Sequence, residues 1–232
     1  VEYLLGINQV CVKEPRVASR AVVFVNGEVD DAAALRNLLR PHDRLVAADG
    51  GVRHLRALGL WPHVLVGDLD SVEPGVLAAA RTAGVAIEEH PRAKAQTDLE
   101  LAIERAIRDG AEEVLLVGAL GGRLDQTLAN LLILAQRPWA ADIRIAEAGQ
   151  VASLVRAGQT LRLQGAAGST VSAIPFSPVV TGITYRGLEY PLENATLHFG
   201  ATTGISNVIA QPPASVTIAS GILLVVQEAL PA

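Results

Sequence analysis

Between residues 20 and 147 one pattern repeats: a short unbroken apolar run, then a segment of helical spacing, then another apolar run. The apolar runs fall at 21–25, 44–48, 63–67, 85–88, 113–117 and 142–146. The segments between them, at 31–40, 52–58, 74–83, 97–109 and 125–136, carry apolar residues at helical intervals. Strands apolar on both faces need cover on both faces, and the intervening helices supply it. The spacing therefore predicts an α/β fold, a mainly parallel sheet with helices on both sides. After residue 148 the helical spacing stops. Short β-prone runs at 160–163, 170–174, 179–185, 195–199, 215–218 and 223–226 are punctuated by Gly, Thr, Ser and Pro, as in an antiparallel β-sandwich. The expected division is an α/β unit over 21–147 and an all-β unit over 148–232, with 1–20 as an N-terminal extension or edge strand.

Half of the residues are apolar and only 3% are aromatic, so a sizeable core must be packed by Val, Leu, Ala and Ile. Net charge is −5 with no Lys/Arg stripe, which argues against a nucleic-acid binder. An anionic polyphosphate would need a divalent cation or local Arg and Lys to approach such a chain. The single cysteine, Cys11, excludes an intramolecular disulfide and a cysteine-based zinc cluster and reads as a small apolar residue. No run is long enough to span a membrane and no signal-peptide pattern opens the chain, so a cytoplasmic protein is expected.

Ligands of open parallel sheets bind at the carboxyl ends of the strands. Asp49-Gly50-Gly51 follows the second apolar run, and two glycines there allow close backbone approach at a helix N-terminus that favours anions. Gly67-Asp68-Leu69-Asp70-Ser71 follows the third, and its two carboxylates suit a hard cation such as Mg2+. Capping of the next helix by Asp70 or Ser71 is the plain structural alternative. Thr97-Asp98 opens another helix, with Thr97 as a cap completed by Glu100 and Asp98 in the first turn. Gly121-Gly122-Arg123-Leu124-Asp125-Gln126 is a glycine-rich turn whose Arg123 offers a planar fork to phosphate oxygens. Asp125 as a simple cap is the alternative there. No Walker GxxxxGK[ST] and no GxGxxG is present. Together the strand ends describe an acidic, Gly-lined cleft for metal-dependent phosphate or nucleotide chemistry.

The same residues, in order, resemble the thiamine pyrophosphokinase family over residues 20–228. The series includes Asn26-Gly27-Glu28, Ala48-Asp49-Gly50-Gly51, Gly67-Asp68-Leu69-Asp70-Ser71, Thr97-Asp98 and Gly121–Gln126 with Asn130, then Gly187-Leu188-Glu189-Tyr190-Pro191-Leu192, Phe199-Gly200 and Ser206-Asn207. The resemblance implies a homodimer of α/β-plus-sandwich chains, with thiamine between the α/β unit of one subunit and the β unit of the other. It implies transfer of diphosphate from ATP to the thiamine hydroxyl with Mg2+. Asp68, Asp70 and Asp98 would be the metal and phosphate carboxylates and Arg123 a phosphate contact, all four in the reaction centre. Asp49, Gly50, Gly51, Ser71, Thr97, Gly121, Gly122, Asp125 and Gln126 would line the nucleotide site, and Ser206 and Asn207 the thiamine pocket. Three positions depart from the family's usual residues: Ala95 for Asp, Arg53 for Asn and Tyr190 for Trp. The alternatives are a diphosphokinase for another hydroxyalkyl heterocycle such as a pterin, and a non-catalytic nucleotide- or thiamine-binding protein.

Overall fold

The computed structural model describes residues 19–29 and 31–228; of the extension expected over 1–20, residues 1–18, with Cys11, lie outside them, and Arg20 opens the first strand. The first half alternates as the apolar runs foretell. Its strands are β1 (Arg20–Phe24), β2 (Arg44–Ala48), β3 (Val64–Gly67), β4 (Ala86–Glu89), β5 (Glu113–Val117) and β6 (Asp142–Glu147). Its helices are α1 (Ala32–Asn37), α2 (Val52–Ala57), α3 (Pro74–Thr82), α4 (Asp98–Arg108) and α5 (Leu124–Ile133). Local chemistry fixes the helix starts. The Asp31 carboxylate accepts from Ala33 N and Ala34 N at α1, and Thr97 Oγ1 accepts from Glu100 N at α4. Pro74 occupies the first turn of α3, where its missing N–H costs nothing.

The six strands lie in the order β4-β3-β2-β1-β5-β6, every neighbouring pair parallel. Winding runs outward from β1 through β4, then resumes on the other side of β1 with β5. The strand order thus reverses between β1 and β5, the place where open parallel sheets leave a crevice at their carboxyl ends. Alternate residues of each strand enter different cores. Val23, Val46, Val66 and Leu116 pack with Leu99, Ala102, Ile103 and Ala106 of α4 and with Ile133, the last residue of α5. Val22, Phe24, Ala47 and Leu65 pack on the opposite face with Leu35, Val52, Leu55 and Ala80 of α1 to α3.

The second half is all β, as expected, and joins the first without a break in hydrogen bonding. A two-residue turn, Ala148-Gly149 with φ of 48° and 76°, folds β6 back onto β7 (Gln150–Arg156). Beyond β7 come β14 (Ile222–Glu228), β9 (Thr170–Pro175) and β12 (Asn207–Val208), all antiparallel, extending the sheet to ten strands. A second sheet of four strands, ordered β11 (Ala195–His198), β10 (Val179–Arg186), β13 (Ser215–Thr217) and β8 (Thr160–Arg162), stacks on this extension. Leu223 and Val225 point into the sandwich core with Ile183, Val216 and Ile218, while Leu224 between them faces the α4 side. Among the described residues no helix is long and apolar enough to cross a membrane.

Candidate active site

Several of the candidate side chains lie together at the carboxyl edge of the parallel strands. Asp49 directly follows β2 with its backbone at φ 46°, in the left-handed region that a non-glycine residue occupies at a cost of about 1–3 kcal/mol. The residue is 8% exposed, and its Oδ1 is buried without a hydrogen-bond partner. Leu69, between Asp68 and Asp70, is also left-handed (φ 64°), and its buried side chain anchors the turn in the core. That kink sends the flanking carboxylates outward together, and Asp70 N donates to Asp68 Oδ1 at 3.3 Å. One carboxylate oxygen each from Asp49, Asp68 and Asp70 lie within 4.8 Å of one another. This donor set suits a hard, oxygen-seeking cation, and Asp49 Oδ1 is an acceptor with no partner from the protein.

The electrostatics follow from that crowding. Burial pushes the Asp49 carboxyl above its ordinary range, and Asp98 and Asp68 add to the rise. Ser71 and the Gly50 N–H oppose it. Asp70 has Arg92 Nε at 3.7 Å on the exposed rim, and Ser71 Oγ donates to Asp70 Oδ1. Neither Asp70 nor Ser71 caps α3: Glu73 holds the cap position and no side chain bonds there. The plain structural alternative for these two residues is therefore removed, and both remain at the cleft.

Asp98 stands beside this trio and outside it. Its Oδ1 lies 2.9 Å from Lys94 Nζ, which is also 3.7 Å from Asp68 Oδ2. A Cβ built on Gly67 would sit 3.1 Å from both Asp98 Oδ1 and Asp49 Cβ, so these two aspartates close on the glycine at the end of β3. The expected metal carboxylates are Asp68, Asp70 and Asp98; the structure brings oxygens of Asp68 and Asp70 together with one of Asp49, and Asp98 lies beside them.

Gly50 and Gly51 are buried, and their bare faces meet the protein itself. A Cβ on Gly51 would lie 2.0 Å from the Phe24 carbonyl oxygen, and one on Gly50 2.5 Å from the Asn26 amide. They allow the helix entrance to press against β1. Arg53 just beyond donates to the carbonyls of Asn26 and Gly27 at 3.1 and 2.7 Å, and buried His54 places Nε2 2.9 Å from Gly27 O. Burial lowers the His54 pKa, so a neutral ring donating to that carbonyl is favoured.

The glycine-rich turn after β5 is open. Gly121 and Gly122 are left-handed in succession (φ 80° and 69°), and Asn130 Nδ2 anchors the turn through Ala119 O at 2.7 Å. Arg123, not Asp125, holds the cap position of α5, without a side-chain cap bond. The Arg123 fork closes on Asp125 at 3.1 and 2.5 Å, both side chains largely exposed, and Gln126 N donates to Asp125 Oδ1. In the β unit Ser206 is exposed with φ 59°, and Asn207 is 6% exposed, bracing Tyr190 from both sides of its peptide.

Two family models match this chain: the thiamin pyrophosphokinase catalytic domain over residues 35–146 and the thiamin pyrophosphokinase vitamin B1 binding domain over 159–223. A thiamine pyrophosphokinase of Bacillus subtilis is 27% identical over 188 residues, covering 81% of this chain and 88% of the relative. Thiamine pyrophosphokinase 1 of rice is 26% identical, covering 70% and 64%. Among solved structures, thiamin pyrophosphokinase from Geobacillus thermodenitrificans superposes with a TM-score of 0.75 at 26% identity over 92% of this chain and 99% of that one. The B. subtilis crystal structure gives a TM-score of 0.81 at 22% identity over 91% and 99%, which bears on the fold.

Proposed function

This chain belongs to the thiamin pyrophosphokinase family, and from that premise we propose how its residues carry the reaction. The reaction moves the β,γ-diphosphate of ATP to the hydroxyl of thiamine, releasing AMP. A hydroxyl oxygen attacks the β-phosphorus, the bond to the α-phosphate oxygen breaks with its electron pair leaving on AMP, and the hydroxyl proton is given up to the acidic cluster. Positioning and charge neutralisation do most of the work in such transfers. The matches to both halves of the chain do not favour a pterin diphosphokinase or a binding protein without activity.

Asp49, Asp68 and Asp70 are the residues that would hold Mg2+, whose chemistry is to neutralise charge on the polyphosphate oxygens. Their convergence beside the β1/β5 crevice is the observation that carries this reading. Gly121-Gly122 and the N-terminus of α5 present backbone donors to the same polyphosphate, with Gln126 and Thr97 at its flanks. Arg123 exchanges Asp125 for phosphate oxygens when the nucleotide arrives.

The thiamine pocket is completed by a second copy of the chain. α5 exposes Leu124, Leu128 and Leu132, one apolar stripe at intervals of four residues, next to the glycine-rich turn. The β unit exposes Tyr190, Phe199 and Ile205 near Ser206. An exposed tyrosine face suits thiamine's cationic ring. We assign nucleotide handling to 21–147 and thiamine handling to 148–232, each site drawing on both subunits. The test is direct: purified protein with Mg-ATP and thiamine should yield AMP and thiamine diphosphate in equal amounts. Absence of AMP, or equal turnover of a hydroxymethyl pterin, would overturn it.

A further inference from the structure

A crevice of about 720 Å3 opens at the other edge of the sheet from the acidic cleft. Its walls are the starts of β5 and β6, the end of β7, the segment between α5 and β6, and the beginning of β8. That volume lies in the range that holds a small molecule. Most of the lining is apolar, with Leu134, Trp139, Leu154 and Leu161 the largest such groups. Trp139 spends its single N–H on Ile133 O at 2.9 Å, so the indole has only apolar contact to give a ligand.

Four charged residues line the crevice, and they are not equivalent. Asp142 and Arg144 pair with each other. Glu112 is exposed, so water screens its charge. Arg156 is half-buried and makes no ion pair among the described residues. Its Nη2 donates instead to the carbonyls of Leu134 and Arg137, at 3.0 Å each. Those two bonds fix the guanidinium against the wall while leaving its positive charge uncompensated and three of its five N–H groups unused. Gln159 Oε1 accepts from Arg156 N at 2.9 Å, which leaves the Gln159 amide nitrogen as a second donor at the same place. Arg137, stacked 4.1 Å from the centre of the Trp139 ring, is already answered by Glu100 and Glu104.

We infer that this crevice is a second binding site, for a small apolar molecule carrying one negative charge. The apolar body lies against Leu134, Leu154 and Leu161, and the anionic group takes the free donors of Arg156 and Gln159. Neither substrate of the transfer fits that description: thiamine is a cation, and ATP is a polyanion that four charged residues of mixed sign do not neutralise. The site is separate from the cleft and independent of which carboxylates hold the metal.

Anilinonaphthalene sulfonate, an aromatic body with one sulfonate, is a suitable probe, and phenylnaphthylamine is the same body without the charge. Titrated into the full chain, the sulfonate should bind saturably, as read from its fluorescence, and neither ATP nor thiamine should displace it. Gln159→Glu is isosteric, keeps an acceptor for Arg156 N and adds a charge of the wrong sign beside the guanidinium. It should weaken the sulfonate at least about fivefold and leave phenylnaphthylamine within about twofold of wild type. Arg156→Met should do the same by removing the cation. A thermal melt shows whether that variant folds, and Gln159→Glu, on an exposed side chain, carries the test if it does not. A smaller loss in folded Gln159→Glu, equal weakening of phenylnaphthylamine, displacement by ATP or thiamine, or no saturable binding would each overturn the inference.

Discussion

Asn207 offers the sharpest test of how the β unit holds the residues proposed to face thiamine. Its Oδ1 accepts from Tyr190 N at 3.1 Å and Val208 N at 2.8 Å, and its Nδ2 donates to Tyr190 O at 2.8 Å. Both lone pairs of the amide oxygen are used, and one N–H is left for anything else. Asn207→Ala leaves those three backbone groups in a part-buried setting without partners. At about 0.5–1.5 kcal/mol for each lost bond, the variant should be destabilised by about 2–4 kcal/mol. Urea unfolding followed by circular dichroism gives this number from the shift in midpoint at constant slope. The KM for thiamine should rise while that for ATP is unchanged, because Tyr190 loses its brace. Tyr190→Ala should raise the thiamine KM without the stability loss, since the ring is 62% exposed. A stability within about 0.5 kcal/mol of wild type would refute the bracing role, as that is the ordinary scatter of surface substitutions. An Asn207→Ala protein that keeps its stability but loses thiamine would make Asn207 a direct contact instead.

Three further outcomes are expected. Asp70→Asn removes one charge of the converging trio at almost constant volume and should lower kcat by at least about a hundredfold, about 2.7 kcal/mol of barrier, in a steady-state AMP-release assay; normal turnover would remove Asp70 from the metal set. Burial of Glu88 opposes its ionisation, but hydrogen bonds from Arg105, Arg108 and His90 together outweigh this and hold the carboxyl at about 2, below the ordinary 4.5. That stabilisation is present above pH 4.5 and is lost as pH falls towards 2, so Glu88→Gln should cost on the order of 1–2 kcal/mol at pH 7, solvent screening of the exposed Arg108 reducing the full value, and flatten the acid limb of the stability curve; an unchanged acid limb would count against it. Leu128→Glu, on the exposed stripe of α5, should shift sedimentation from dimer to monomer and depress thiamine turnover; an unchanged oligomeric state would place any subunit contact elsewhere.

Much of this molecule was legible before its coordinates because its strands are apolar on both faces and its helices carry their own start signals. β2 and β5 run over the very residues of their apolar runs, and Thr97 caps α4 as its sequence implies. β7 was not legible. Its turn uses Ala148, not Asn or Asp, in the left-handed position, so the hairpin lacks the usual turn chemistry. β12 is two residues long, too short for periodicity to register. In the cleft, the Gly-Asp-x-Asp spacing identified the loops, but side-chain direction depends on backbone twist that spacing does not encode. Left-handed Asp49 brings a carboxylate oxygen within 4.8 Å of those of Asp68 and Asp70, and Asp98 Oδ1 lies 2.9 Å from Lys94 Nζ. The paired glycines at 50 and 51 read as an opening towards a ligand, yet their tightest neighbours are Phe24 and Asn26.

The hydrogen-bonded seam between β6 and β7 has a consequence for how this molecule opens and for how it is cut. Parts joined by one uninterrupted ladder cannot swing apart like the jaws of a clamp, so access to the cleft must be governed by its loops. Severing the chain at Ala148 would leave β6 as a bare edge with Ile143 and Ile145 uncovered, inviting strand-to-strand aggregation. The catalytic portion expressed alone should therefore precipitate, where a tethered pair of true modules would stay in solution.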